Sequence, residues 1–398
     1  MTQDKPIIET LMDTDRYKLS MQKAFLHHYP GAYARYRFKC RTAGAAIGKY
    51  VDEIREQVRH LDSLSFTRDE LDYIGKIPSL AGDYVDFLRI FRLDSRMVAI
   101  ENRGGELSIE AEGPIVFVMP FELYILPIVE EVWFRNEYPD LDYSEGRRRL
   151  EAKIAFLQNG KDLEGFRYAD FGGRRRASRV WHDETVARQA GALPGRFIGT
   201  SNMWLAMTHG IAPIGTMAHE YLQAFQALGP RLVDSQKVAL ETWVKEFRGD
   251  LGIALTDVVG MDAFLRDMDL YFAKLFDGFR HDSGCPYEWT RKLTARLKEL
   301  NIDPRTKTAV YSDGLTVEKA VEIYRAVRGS ITAVFGIGTH LTNDCGPTPL
   351  NLVMKMVACN GQPVAKVSDS EGKGMCDNED YLNYLMQVFH IARPEVVS

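Results

Sequence analysis

The sequence predicts an α/β protein, an irregular TIM-like (β/α) barrel with a second α+β domain, and three observations carry that prediction. From about residue 150, short apolar segments alternate with helical patterns, which is the rhythm of a parallel sheet. Seven of these segments end in small or polar residues just before a helix starts. The first third instead mixes alternating strands with amphipathic helices, and two strand-like segments near the C-terminus break the βα rhythm. Residues 1–149 are therefore expected to form the α+β domain, rejoined by residues 349–398, with residues 150–348 as the barrel.

A chain of 398 residues can bury a large core, and 45% hydrophobic with 26% charged residues is ordinary for a water-exposed globular protein. A net charge of −5 argues against a nucleic-acid partner, so anion binding should be confined to a local site. No apolar run is long enough to span a bilayer, and residues 1–9 lack the pattern of a signal peptide, so no membrane partner and a cytoplasmic location are expected. The five cysteines, 40, 285, 345, 359 and 376, include no Cys-x-x-Cys pair, and reduced thiols are expected.

In chain order, Asp13-Thr14 reads as a helix start, followed by Tyr17, Met21, Phe25 and His28 at helical spacing. Residues 33–39 alternate as a half-exposed strand, with Ala34, Tyr36 and Phe38 on one face. Helices are expected around 49–60 and 83–92, and short strands at 96–100 and 106–110. Residues 120–138 read as an apolar helix that Pro127 should kink or restart, before a polar, basic stretch at 140–150. Residues 350–358 and 363–367 read as paired strands joined at Asn360-Gly361, returning to the first domain's sheet, and a helix at 379–389 follows.

The seven strand ends lead into Asp170-Phe171-Gly172, Gly199-Thr200-Ser201-Asn202, Gly215-Thr216-Met217-Ala218-His219, Thr256-Asp257, His281-Asp282-Ser283-Gly284, Ser312-Asp313-Gly314 and Gly336-Ile337-Gly338-Thr339. A parallel barrel collects strand carboxyl ends on one face, so these clusters would line one mouth. An open doubly wound sheet is the competing arrangement, and its site would draw on fewer strand ends.

Each cluster has a functional and a structural reading. The stretch around His219, taken alone, favours a core histidine at a helix start over a nucleophile. Gly338 and Thr339 offer bare backbone N–H groups to an anion, or simply a tight turn. Asp313 and Gly314 repeat that element on the neighbouring strand. Arg280, Asp282, Ser283 and Gly284 combine a fixed cation, a carboxylate, a hydroxyl and a flexible backbone, the mixture a sugar phosphate needs; a stabilised surface turn is the alternative. Of Arg174, Arg175 and Arg176, one is expected to face a site.

Asp-x-x-Tyr near the N-terminus, Asp-Phe-Gly-x-Arg, Gly-Thr-Ser-Asn, Gly-Thr-Met-Ala-His, Arg-x-Asp-Ser-Gly, Ser-Asp-Gly and Phe-Gly-Ile-Gly-Thr, in this order, resemble the nicotinate phosphoribosyltransferase family, its bacterial form most. The likeness runs from Leu11 to Ser370. It implies joining of nicotinate to phosphoribosyl pyrophosphate, giving nicotinate mononucleotide and pyrophosphate in NAD salvage, with ATP hydrolysis coupled to it and magnesium carried on the substrates. By resemblance, His219 is a transiently phosphorylated histidine. Phe171 and Tyr17 sandwich the pyridine ring, with the tyrosine coming from the partner subunit of a homodimer whose site lies at the interface. Arg174, Thr216 and Arg280 contact ligands, and Gly338 and Thr339 hold the 5′-phosphate.

The residue chemistry suits these roles. Arg280 would stabilise the leaving pyrophosphate, Asp282 would hold the ribose hydroxyls, and the pyridine nitrogen needs no general base. Nicotinamide-using relatives carry an aspartate where this chain has Ser201. A charge-assisted bond from Arg174 of about 1.5–3 kcal/mol favours nicotinate by roughly ten- to a hundredfold, and the absence of that aspartate should add to it. Two things depart from or escape this picture. Cys285 stands where the family usually has an aspartate, which should make activity sensitive to thiol reagents, and the carboxylate that orients His219 is not identified. Quinolinate or nicotinamide as the substrate, and a catalytically silent nucleotide sensor, are the rival readings.

Overall fold

The computed structural model describes residues 5–215, 217–250, 252–370, 376 and 378–391. Eleven strands among them form two sheets. β1 (Tyr33–Cys40), β2 (Val98–Arg103), β3 (Glu106–Pro114), β10 (Leu352–Cys359) and β11 (Gln362–Pro363) make an antiparallel sheet ordered β11-β10-β1-β3-β2. β4 (Tyr168–Asp170), β5 (Phe197–Thr200), β6 (Ile253–Leu255), β7 (Gly278–His281), β8 (Thr308–Tyr311) and β9 (Thr332–Ile337) make a parallel sheet ordered β5-β4-β9-β8-β7-β6.

The alternation in β1 does what its pattern dictates. Ala34, Tyr36 and Phe38 are buried, and Tyr36 pairs in register with Met356 of β10 on one side and Ala111 of β3 on the other. β10 therefore returns to the first sheet, as expected. Asn360 and Gly361 both have positive φ, 49° and 76°, the geometry that closes a two-residue hairpin. The second strand of that hairpin is shorter than predicted. After Pro363 the chain leaves the sheet, and Val367 N–H donates to Val258 O beside β6. Val364 and Ala365 are fully buried, so the segment keeps an apolar pattern without a ladder.

Two other expectations are corrected. The helix Phe121–Glu137 runs through Pro127 without restarting, because most of its residues are buried and packing outweighs the roughly 3 kcal/mol a proline costs. The polar stretch that follows it, 140–150, lies largely within a helix, Ser144–Asn159. The barrel does not close among the described residues. Residues 212–214 make only a bridge, Thr200 to Pro213, flanked by Thr200 N–H to Ala212 O and Ile214 N–H to Thr200 O. Pro213 has no N–H to continue the ladder, which leaves six parallel strands where seven were expected.

Candidate active site

Because β4 to β9 are parallel, their carboxyl ends meet at one edge, and the side chains just beyond them converge. His219 is the first residue of the helix His219–Leu228. Its Nε2 lies 2.8 Å from Asp257 Oδ1, beyond β6, and 3.5 Å from Asp282 Oδ2, beyond β7. The other Asp257 oxygen accepts from Ser283 Oγ at 2.6 Å and from Lys366 Nζ at 2.9 Å. Arg280 donates from Nη2 to Asp282 Oδ1 at 2.8 Å and from Nε to Ser312 Oγ at 2.9 Å. Ser312 Oγ in turn donates to Asp282 Oδ1 at 2.7 Å. His219, Arg280, Asp282 and Ser283 thus share one hydrogen-bonded cluster.

The electrostatics keep each group in a defined state. Burial lowers the His219 imidazole below its usual 6.5, and Lys366 adds to that, so Asp257 does not suffice to protonate it. Burial alone would raise the Asp257 carboxyl, but His219 and Lys366 hold it well below the carboxylate range. Asp282 is likewise held low against burial, by Arg280, His219 and Lys366. The result is a neutral imidazole beside two carboxylates and two cations. With Nε2 facing Asp257, the proton sits on Nε2 and the lone pair on Nδ1.

A second group lies along β4 and the first helix, Arg16–His28. Asp170 accepts from His182 Nε2 and Thr200 Oγ1, both at 2.7 Å, and from Gly172 N–H at 2.8 Å, which fixes the turn that presents Phe171. Phe171 packs on Gly336 so closely that a Cβ there would fall 2.2 Å from the ring, and Gly338 backs onto the Phe171 carbonyl. The Arg280 guanidinium stands 6.0 Å from the Phe171 ring centre and links the two groups. Arg176 is buried in a bidentate pair with Asp13, and Arg175 donates to Leu352 O. Arg174, with its side chain 42% exposed, lies 3.5 Å from Glu122.

Tyr17 is buried within its own chain near Arg174, and its unpartnered hydroxyl is held protonated by burial. Ser201 donates its hydroxyl to the buried Asp15 at 2.6 Å rather than facing outward. Gly284 has φ +80° and donates its N–H to Ser370 Oγ; Gly314, at φ +54°, is exposed, and Asp313 before it is half-buried. Thr339 opens the short helix Thr339–Thr342. Thr216 lies outside the described residues. Cys285 is exposed at the start of the helix Pro286–Glu299.

Sequence reasoning missed two residues. Asp257 stood at a named strand end without a role. Lys366 was hidden in an apparent strand. Glu220 turns away from His219 and pairs with Lys18 and Tyr36.

Comparisons with known proteins bear on this arrangement. The model of the nicotinate phosphoribosyltransferase (NAPRTase) family matches residues 166–393, and that of its N-terminal domain matches residues 12–130. The nicotinate phosphoribosyltransferase of Burkholderia mallei is 53% identical over 391 residues, covering 98% of each chain. That of Verminephrobacter eiseniae is 54% identical over 402 residues, covering 97% of this chain and 99% of the relative. The crystal structure of the Vibrio cholerae nicotinate phosphoribosyltransferase superposes with a TM-score of 0.94 at 34% identity, covering 98% of this chain and 96% of that one. That from Porphyromonas gingivalis gives 0.92 at 33% identity, covering 97% and 100%. This chain belongs to the nicotinate phosphoribosyltransferase family of enzymes.

Proposed function

We propose that this enzyme makes nicotinate mononucleotide and pyrophosphate from nicotinate and phosphoribosyl pyrophosphate, and couples the reaction to ATP hydrolysis through a phosphohistidine at His219. The observation that carries the reading is the neutral His219, held at Nε2 by Asp257 and set beside Asp282 and Arg280, within a chain of this family.

For the transfer, the pyridine nitrogen lone pair forms the bond to ribose C1′ while the bond to pyrophosphate breaks, its electron pair leaving with the oxygen. Positive charge grows on the sugar and negative charge on the leaving group. Arg280 and Lys366 supply fixed cations for the latter, and Asp282 accepts from the ribose hydroxyls. Gly338 and Thr339, with Asp313 and Gly314 on the adjacent loop, receive the 5′-phosphate, and Ser283 and Gly284 line the sugar. Phe171 and Tyr17 bracket the ring, Ser201 keeps Asp15 occupied, and Arg174 meets the nicotinate carboxylate.

For ATP, Nδ1 of His219 attacks the γ-phosphorus in line, ADP departs with the bridging oxygen, and Asp257 stabilises the Nε2 proton as charge develops on the ring. Water later releases the phosphate. Ligand atoms of His219, Asp257 and Asp282 lie within 4.8 Å of one another, a donor set that suits a hard cation through its carboxylates. Asp257 and Asp282 would hold magnesium arriving on a polyphosphate, with Lys366 sharing their charge. Bound there, magnesium would neutralise phosphate charge.

The same reading keeps the domain division at 149/150 and 348/349. It also keeps an irregular barrel, in which Pro213 bridges to Thr200 of β5 and His219 reaches Asp257 beyond β6. It further includes a homodimer with the site at its interface. The half-exposed Arg174 is a group a partner could cover, and sedimentation equilibrium tests this. No helix among the described residues is long and apolar enough to cross a membrane, and no disulfide joins the five cysteines, which fits a reducing compartment such as the cytoplasm.

The test is product analysis with nicotinate, nicotinamide or quinolinate in turn, each with phosphoribosyl pyrophosphate, ATP and magnesium. Nicotinate mononucleotide formed from nicotinate, together with ADP, is the expected result. Turnover of quinolinate, or no product from any, would overturn the reading.

A further inference from the structure

Three residues placed in the chemistry are each tied to one buried charge cluster that the reaction itself does not use. Lys18 follows Tyr17 in the chain, is 1% exposed, and donates from Nζ to Glu122 Oε2 at 2.7 Å and to Glu220 Oε1. Glu220 follows His219, and its second oxygen accepts from Tyr36 Oη at 2.5 Å. The second oxygen of Glu122 lies 3.5 Å from Arg174. Two carboxylates and two cations therefore balance, and Lys18 sits between the two acids.

The cluster joins three helices at their first turns. Lys18 is the third residue of Arg16–His28, Glu122 the second of Phe121–Glu137, and Glu220 the second of His219–Leu228. Carboxylates are favoured at helix N-termini, so each acid is anchored by its own helix as well as by the lysine. The first helix also presses on the loop before His219: a Cβ on Gly215 would lie 3.2 Å from Tyr17 N, and Ala218 N–H donates to Met21 Sδ. A buried ion pair is weak grounds for stability, because an apolar pair of similar volume often does as well. What this one supplies is a fixed spacing between the nicotinate end of the pocket and the histidine.

We propose that Lys18 is a positioning residue which, through Glu122 and Glu220, couples occupancy of the Arg174 pocket to the phosphorylation of His219. The proposal rests on the roles given above to Arg174 and His219. Lys18 touches no reacting atom. It holds the two ends of the site in register, so that ATP is consumed mainly when nicotinate is in place.

The test uses the double variant Lys18→Met/Glu220→Gln. It removes one positive and one negative charge together, leaves Glu122 paired with Arg174, and keeps an acceptor for Tyr36, so the fold is retained where Lys18→Met alone would leave the Glu220 carboxylate without a cation. A thermal melt confirms folding. ATP consumed per nicotinate mononucleotide formed is then measured at saturating and at limiting nicotinate. The expected result is a ratio at least fivefold above wild type, with a raised KM for nicotinate. A ratio within twofold of wild type in the folded double variant would overturn the coupling role while leaving the proposed activity intact. Wild-type enzyme that forms product without consuming ATP would overturn the phosphohistidine reading, and this proposal with it.

Discussion

Replacing Asp257 by asparagine removes the charge that fixes the His219 tautomer and leaves the side-chain shape unchanged. Asp257 is 1% exposed and bonds His219 at 2.8 Å, Ser283 at 2.6 Å and Lys366 at 2.9 Å. A hydrogen bond to a charged group contributes about 1.5–3 kcal/mol against about 0.5–1.5 for a neutral one, so loss of charge alone slows phosphorylation by roughly tenfold. An amide can also donate to Nε2 and move the proton to Nδ1, which removes the nucleophilic lone pair; a tautomer exchange of this kind costs up to about 10⁴ in rate. Single-turnover labelling with γ-labelled ATP, quenched in base, should therefore be about 10²–10⁴-fold slower. Asp257→Asn also strands Lys366 and should destabilise the fold by about 3 kcal/mol, which Lys366→Met in the same chain restores without restoring the label. Labelling within threefold of wild type in the folded single variant would refute the tautomer argument.

Arg174→Met should lower kcat/KM for nicotinate by roughly ten- to a hundredfold, the value of one charge-assisted bond, and leave labelling of His219 by ATP alone within twofold; initial-rate kinetics check both. Because burial holds the His219 imidazole below 6.5, it remains neutral as pH falls through that value. The labelling rate should then stay level from pH 8 through 6.5 and decline only at lower pH, whereas half-loss at or above 6.5 would contradict this. Glu130 is 0% exposed, and burial raises its carboxyl from 4.5 to about 8. A folded-state value above the unfolded one gives stability that is complete below about pH 4.5 and lost as pH rises through 8. Glu130→Gln should thus gain on wild type by up to about 3 kcal/mol between pH 4.5 and 7 in chemical denaturation, and a constant difference across that range would count against it.

What could be read from the sequence follows from how local each feature is. The period-two pattern of β1 and the succession of strand ends are written in neighbouring residues, so the two sheets and the convergence of His219, Arg280, Asp282 and Ser283 could be anticipated. Closure of the barrel could not be judged, because it depends on whether residues 212–214 find ladder partners, and the proline that prevents this also occurs at strand edges. Lys366 reaches Asp257 only because the chain leaves β11 early, an event with no local signature. The partners of Lys18 are 104 and 202 residues away, beyond any periodicity argument. Ser201 was legible as a site position, but its bond to Asp15 gives it a different part: an aspartate there would face a buried carboxylate already in place.

The central claim is that His219 carries phosphate. The enzyme incubated with γ-labelled ATP, magnesium and nicotinate, digested in base and mapped by mass spectrometry should bear an acid-labile phosphate on His219, attached through Nδ1, and lose it in His219→Ala. Label on another residue, or none, with His219→Ala still coupling ATP hydrolysis to nucleotide formation, would contradict the account.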